Sequence, residues 1–315
     1  MGLTVDDVDR FEAARPRLEA IAYRLLGSAS EAEDAVQDTF LRWQAADVAR
    51  VEVPEAWLTK VLTNLCLNQL SSARARRETY VGAWLPEPLL TGDPMLGPAD
   101  TAEQRESVSY AVLAVMERLS PNERAVYVLR EAFDYPHREI AEILDITESA
   151  AQQTYHRAKK HVAAGRARTE IDEAGARRIV EEFLAAATSG RTEPLVRLLT
   201  GDAVAIGDGG GKVPARARAF EGALAVATFL RGLFKPGIAK RRVIGGSPDM
   251  YATTANGAPA VVAVLDGRVV GIMCLEVTPD GITAFRNQVN PDKLDRATRH
   301  WAATDHGAPL LPSAL

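Results

Sequence analysis

A chain of 315 residues is too long for one small module and has room for about two to three domains. With 47% hydrophobic and 25% charged residues and a formal net charge of -5, it is a soluble globular protein, not one that coats nucleic acid through overall basicity, so any DNA contact is local or assisted. Cys66 and Cys274 lie far apart in apolar surroundings and form no metal-ligand cluster, as expected of buried thiols in a reducing cytosol. The N-terminus is acidic and lacks a signal-peptide core, and the apolar run from Ala260 to Val277 is interrupted by Asp266, Gly267, Arg268 and Glu276. The expectation is a cytoplasmic protein with no membrane partner.

From Val5 to Thr79 the pattern is helical, and Pro16 and Pro54 are expected near helix starts. Ser30 to Trp43, SEAEDAVQDTFLRW, offers Ser30 as a cap with Glu33 in the capping-box position. Its apolar side is Ala32, Ala35, Val36, Thr39, Phe40 and Trp43, which leaves Glu31, Asp34, Gln37 and Asp38 as an acidic opposite face. Such a face suits either solvent or a basic protein partner. Glu55 to Tyr80 carries an apolar stripe with Asn64, Asn68 and Gln69 nearby and Arg74, Arg76 and Arg77 at its end. Amides with arginines suit the bases and phosphates of DNA, but cations also complement a helix C-terminus.

Tyr80 to Asp100, YVGAWLPEPLLTGDPMLGPAD, has a Pro/Gly content that resists regular structure and reads as an extended linker. Helices resume from Thr101 to about Ala167. Within them, Leu119 to Val162 reads as helices ending in a helix-turn-helix, with Ile140, Ala141, Leu144, Ile146 and Ala151 at its apolar or small positions. Asp145 stands at the turn position usual for glycine and tolerates a left-handed backbone. After Glu148 no acid appears until Glu170, while Arg157, Lys159, Lys160, Arg166 and Arg168 accumulate, so the segment could neutralise phosphates.

The period then changes. Helices are expected at Glu173 to Ala187, Pro194 to Leu199 and Glu221 to Phe234. Strands are expected at Val204 to Ile206, Arg242 to Ile244, Pro259 to Leu265, Arg268 to Val277 and Ile282 to Val289. Asp266-Gly267 and Asp280-Gly281 between three of these runs predict an antiparallel, meandering sheet. Asp208-Gly209-Gly210-Gly211-Lys212 lacks the spacing and the Ser/Thr of a phosphate loop and is better read as a contact loop, with Lys212 free to pair with an acid. Asn290 to Leu294 follows the last strand and could cap the same interface, with Asp292 and Lys293 as a charged pair and Leu294 as an anchor. None of the five histidines falls inside the predicted sheet, and Asp249, Asp266 and Glu276 have no evident catalytic partner. No catalytic residue, metal or cofactor is therefore expected.

DAVQDTFLRW, AWLTKVLTNLCLNQL and LSPNERAVYVLR, in this order before a helix-turn-helix, resemble the two conserved regions of bacterial extracytoplasmic-function (ECF) sigma factors over residues 1–168. WLPEP at Trp84 to Pro88, DGGGK at Asp208 to Lys212 and NPDKL at Asn290 to Leu294 resemble the SigJ-like branch, which carries a C-terminal SnoaL-like domain of the NTF2 superfamily. The resemblance implies two all-α sigma-factor domains, the second with the helix-turn-helix, followed by an α+β SnoaL/NTF2-like cone with an antiparallel curved sheet. Its divisions are 1–79 (region 2), 80–100 (linker), 101–168 (region 4), 169–300 (regulatory domain) and 301–315 (tail).

The resemblance also implies roles. Asp34, Gln37, Asp38 and Phe40 match the helix that docks on the β′ clamp of RNA polymerase core, with the β subunit as a further partner. Asn64, Asn68, Arg74, Arg76 and Arg77 match the region that reads and melts the −10 element. Thr147, Glu148, Ser149, Gln152, Gln153, His156, Arg157 and Lys160 belong to the helix-turn-helix for the −35 element. Gln152 and Gln153 stand where a basic residue is common, and Gln favours adenine edges where Arg favours guanine. Trp84, Leu85 and Pro86 are expected to meet Asp208, Gly209, Gly210, Gly211, Lys212, Asn290, Pro291, Asp292, Lys293 and Leu294 in interdomain regulatory contacts. Promoter DNA would be bound as part of holoenzyme, and an unknown small ligand could occupy the cone. Two rivals stay open: a one-component helix-turn-helix regulator with a ligand-binding domain, and a SnoaL-type cyclase or isomerase fused to a DNA-binding segment.

Overall fold

The computed structural model describes residues 4–78, 80–163, 172–215, 218–235, 237 and 245–313, apart from the side chains of 73–78, 102 and 173. It divides into two compact units, one of Met1–Thr79 with Gly92–Arg166 and one of Tyr80–Thr91 with Ala167–Leu315.

The first unit is helical. Helix α1 (Val5–Leu26) starts at a capping box between Thr4 and Asp7 and ends at Gly27, whose φ of 69° makes it a left-handed cap. Pro16, expected near a helix start, lies inside α1. The helix continues through it because only one backbone bond is lost, while Phe11, Leu18, Ile21 and Leu25 are buried on both sides of it. Helix α2 (Ala29–Ala45) is capped by Ser28, not Ser30: the Ser28 hydroxyl accepts from the Glu31 N–H. Helix α3 (Pro54–Glu78) has Pro54 at its first position. Trp43 is fully buried, 5.4 Å from the Trp57 ring, and its indole N–H donates to the Asp7 carbonyl at 3.0 Å.

Helices α4 (Ala102–Ser107), α5 (Tyr110–Met116), α6 (Pro121–Phe133), α7 (His137–Leu144) and α8 (Glu148–Ala163) complete the unit. Asp145, with φ 53°, takes the left-handed turn between α7 and α8, and the Ile146 N–H donates to the Ala141 carbonyl at 3.0 Å. Ile140, Ala141 and Ala151 are buried at this turn. Two guanidinium groups are sealed inside the unit. Arg24 donates to Ser107 Oγ at 2.9 Å and lies over the Phe133 ring, and burial lowers its pKa to about 10. Arg124 reaches the Arg24 carbonyl and the Glu117 carboxylate, and burial lowers its pKa to about 9.

The second unit is α+β. Helices α9 (Glu173–Thr188) and α10 (Glu193–Leu198) lead into β1 (Leu199–Asp208) and β2 (Phe220–Glu221), then α11 (Ala223–Phe234). Strands β3 (Asp249–Ala255), β4 (Ala258–Leu265), β5 (Arg268–Thr278) and β6 (Gly281–Gln288) form a meander, and α12 (Asp295–Ala302) follows. The sheet order is β2-β1-β6-β5-β4-β3. The expected antiparallel sheet is corrected at one seam: β1 and β6 are parallel. The long connection through α11 supplies the crossover that such a pair requires.

Arg242 to Ile244, expected as a strand, lies outside the described residues. Strand β3 and helix α12 are additions to the expected elements. Asn256 (φ 49°) and Gly257 (φ 70°) turn β3 into β4 as Asp266 (φ 50°) and Gly267 (φ 75°) turn β4 into β5. Register shifts at Ala263/Val264 and Glu276/Val277 are the irregularities that bend a sheet.

One sheet face buries Val261, Met273, Leu275 and Phe285 against Val180, Phe183 and Leu184 of α9 and Val226 and Leu230 of α11. Each such side chain contributes about 1.5–3 kcal/mol. The alternate residues Ala260, Val262, Ile272 and Cys274 are buried too. Burial on both faces explains why β4 and β5 read as unbroken apolar runs.

Candidate functional site

Three surfaces are built by these elements. On α2 the buried stripe of Ala32, Ala35, Val36, Thr39 and Trp43 rotates Asp34, Gln37 and Asp38 into solvent. Phe40 is half-buried, with its ring 4.9 Å from Phe11. Leu41 is 51% exposed on the same side as the acids, one helical repeat beyond Asp34.

On α3, Asn68 is exposed and Asn64 half-buried, whereas Leu58, Leu62, Leu65 and Cys66 turn inward. The backbone of Arg74, Arg76 and Arg77 continues the helix, but their side chains lie outside the described residues. Lys60 of α3 donates to the Glu142 carbonyl at 2.8 Å and to Asp145 at 2.7 Å, placing a cation at the C-terminus of α7.

Helix α8 is bolted to α6 along one side. Ala151, Thr154, Ala158 and Val162 are buried. The Lys159 ammonium donates to Glu131 at 2.9 Å and to the Tyr155 hydroxyl at 2.8 Å, and these two bonds raise its pKa. Tyr155 also donates to Glu131. On the opposite side Ser149, Gln152, Gln153, His156 and Lys160 are exposed along one stripe, with Glu148 and Arg157 flanking it. The Thr147 hydroxyl accepts from the Ala150 N–H at 3.2 Å and opens the helix. An exposed polar stripe on a rigidly held second helix has the form needed to enter a major groove.

The second unit carries a clasp centred on Asp208, which is fully buried. One carboxylate oxygen accepts from the Tyr80 hydroxyl at 2.6 Å and the Gly210 N–H at 3.0 Å. The other accepts from the Leu85 N–H at 3.0 Å, Gln288 Nε2 at 3.3 Å and Lys293 Nζ at 2.7 Å. Burial drives this carboxyl up, but Lys293 and the hydrogen bonds from Lys293, Tyr80 and Leu85 overcome it and hold it below the usual value. The Tyr80 hydroxyl is pushed up by burial and by its bond to Asp208.

Lys293 also donates to the Leu85 carbonyl at 2.7 Å and sits 4.1 Å from the Trp84 ring centroid. Gln288 reaches the Pro86 carbonyl at 3.3 Å, and Asn290 Nδ2 donates to the Tyr80 oxygen at 3.0 Å. Trp84, Leu85 and Pro86, the Asp208 loop and Asn290 to Lys293 are thus brought together within one unit. The buried Leu294 leads into α12.

The local Asp292–Lys293 pair expected from the sequence does not form. Lys293 turns inward to Asp208, while Asp292 pairs with Lys212 at 2.6 Å on the surface. The reason is geometric, since Pro291 and Lys293 lie in a short 3-10 turn that separates the two side chains. The glycines of the Asp208 loop are dictated by space. A Cβ on Gly209 would lie 2.0 Å from the Val213 carbonyl oxygen, and one on Gly210 (φ 60°) would lie 2.4 Å from the Asn290 amide.

Comparison with known proteins matches residues 10–76 to sigma-70 region 2 and residues 109–162 to sigma-70, region 4. The chain is 36% identical, over 91% of its length and 93% of the relative's, to the ECF RNA polymerase sigma factor SigJ of Mycobacterium tuberculosis. The chain belongs to the ECF sigma factor family. The crystal structure of that SigJ superposes with a TM-score of 0.69 at 33% identity, covering 91% of this chain and 97% of the other. A probable ECF sigma factor SigI of the same organism is 29% identical over 90% of this chain and 93% of its own.

As an ECF sigma factor, the protein acts with RNA polymerase core in promoter-specific transcription initiation, and initiation factors of this kind are not enzymes. Among the described residues no helix is long and apolar enough to cross a membrane, and no group of His, Cys, Asp and Glu could hold a metal.

Four members of these surfaces carry no motif in the sequence: Tyr80, Gln288, Leu41 and Asn256. Tyr80 and Gln288 belong to the clasp, and Gln288 is one of three consecutive polar residues at the end of β6, Arg286 to Gln288, so the pattern does not mark it out. Leu41 was visible as an apolar residue out of phase with the buried stripe of α2. Asn256 pins the far end of the Trp84 segment: its Oδ1 accepts from the Leu89 N–H at 2.9 Å, beside the Leu90–Ala255 bridge.

Proposed function

We propose that this sigma factor is held inactive by its own C-terminal unit through the Asp208 clasp and is released for transcription when the segment around Trp84 leaves it. The observation that carries this reading is the burial of the Asp208–Lys293 pair around the backbone of Leu85. That segment joins region 2 to region 4, so clasping it restricts the two DNA-reading regions, and letting it go frees them to reach separate promoter elements. We assign region 2 to 1–79, the linker to 80–100, region 4 to 101–168, a SnoaL/NTF2-like regulatory domain to 169–300 and a tail to 301–315.

In this scheme Asp34, Gln37, Asp38 and Phe40 contact the β′ clamp, with Leu41 as an apolar anchor. Asn64, Asn68, Arg74, Arg76 and Arg77 read and melt the −10 element. The exposed stripe of α8 reads the −35 element, where Gln152 and Gln153 favour adenine. The protein works in the cytoplasm, bound to core enzyme, and its C-terminal domain regulates without catalysing a reaction.

The deciding experiment is transcription reconstituted with core polymerase and a promoter library, comparing the full chain with Lys293→Met, Tyr80→Phe and a chain ending at Arg168. Output that rises when the clasp is weakened is the expected result. Unchanged output from all three overturns the autoregulatory reading and leaves family membership intact.

A further inference from the structure

A hollow of about 510 Å³ opens in the first unit where α1, the turn at Pro94–Leu96 and α6 meet, a volume within the range of small-molecule sites. Its lining is stiff and largely apolar, with Pro16, Pro94, Pro98 and Phe133. Among the described residues its one charged member is Arg17, and none is an acid. Arg17 is exposed and makes no ion pair among those residues; its guanidinium lies 5.0 Å from the Tyr135 ring centroid and 5.9 Å from that of Phe133. A guanidinium braced on two rings is already placed for a ligand.

A second cation lies behind the wall. Arg24 is fully buried with its guanidinium 5.3 Å from the same Phe133 ring, and it donates to the carbonyls of two lining residues, Pro98 and Gln104, at 3.4 Å each. Its other acceptors, Ser107 Oγ and the Ala20 carbonyl, are neutral too, so nothing it bonds cancels its charge. Gly97, with φ 68°, brings the chain against it: a Cβ there would lie 3.0 Å from Arg24 Nη1 and 2.5 Å from Ala20 Cβ. Gln104 adds a fixed amide, because its Oε1 accepts from the N–H groups of Asp100 and Thr101, and among the described residues its Nε2 makes no hydrogen bond.

We infer that this hollow binds a small organic phosphate, a dianion carried on a flat ring, with the phosphate on Arg17 and Gln104 Nε2 and the ring against the prolines, and that its occupant fastens region 2 to region 4. Two cations without a counter-charge favour a dianion over a carboxylate, and the guanidinium fork matches phosphate oxygens. Pro16 and Arg17 belong to region 2 and Phe133 to region 4, so an occupant selects the arrangement in which the two touch. The consequence for transcription rests on the autoregulatory reading above.

The test uses the full chain with phenyl phosphate as probe at constant ionic strength, and phenol and inorganic phosphate as its two halves. Expected by calorimetry are one saturable site per chain, at least tenfold weaker binding of either half, and at least tenfold weaker binding of phenyl phosphate in Arg17→Gln and in Pro16→Trp, whose side chain fills the hollow. Both positions are exposed, and unfolding midpoints confirm that the variants fold. No saturable binding, phenol binding as tightly as phenyl phosphate, or binding indifferent to both substitutions overturns the site; inorganic phosphate binding as tightly overturns the place for a ring. In reconstituted transcription, saturating phenyl phosphate lowers output from the natural chain several-fold and leaves that of Arg17→Gln unchanged. Output indifferent to it overturns the fastening of region 2 to region 4. The output of Lys293→Met without any added ligand judges the autoregulatory reading by itself.

Discussion

Lys60 and Lys293 both meet an aspartate at 2.7 Å, yet the two ion pairs differ in kind. Lys60 and Asp145 have side chains 40% and 75% exposed, so water and salt screen their attraction. Lys293 and Asp208 are 11% and 0% exposed, and each is saturated by further hydrogen bonds. An exposed pair can be broken at little cost. A buried pair stays whole or fails as a unit, because removing one partner strands the other charge. The pair that joins α3 to α7 is thus adjustable, and the pair that holds the Trp84 segment behaves as a latch.

The sharpest way to break this contrast is Lys293→Met, which leaves the Asp208 carboxylate buried and uncompensated. A loss of about 3–5 kcal/mol in the stability of the second unit is expected in urea unfolding. Adding Asp208→Asn should recover part of it, and a purely additive double variant would contradict the latch. Gly210→Ala places a Cβ at φ 60° against Asn290 and should cost on the order of 1–3 kcal/mol by the same measurement.

Acid sharpens the comparison further. Because the folded pKa of Asp208 lies below its unfolded value of about 4, its contribution is fully present above that pH and is lost as pH falls through the folded value. Unfolding followed between neutral pH and strong acid should show this loss in the natural chain and not in Asp208→Asn. Smallest of all is Lys60→Ala, expected to change stability by less than about 1 kcal/mol, with an effect that fades in high salt.

Much of this was legible from sequence because it depends on local pattern. The helix-turn-helix follows from apolar spacing together with Asp145, whose short polar side chain suits a left-handed turn. The hairpin at Asp266-Gly267 was plain for the same reason, and Asn256-Gly257 carries the identical signal. The seam between β1 and β6 was hidden because pairing across a long crossover leaves no local mark. The choice of Lys293 for Asp208 over its neighbour Asp292 was hidden too, since it depends on which way a 3-10 turn rotates two adjacent side chains.

The place of the Trp84 segment in the second unit has a consequence for how the protein is made. Tyr80 to Thr91 leaves the ribosome long before Asp208, Asn256, Gln288 and Lys293, its four anchors. Throughout synthesis of the intervening residues it must wait unanchored, while region 4 is completed beside it. A nascent chain therefore passes through a stage in which both sigma-70 regions exist and the Asp208 clasp does not, and the clasp can close only after Lys293 has emerged.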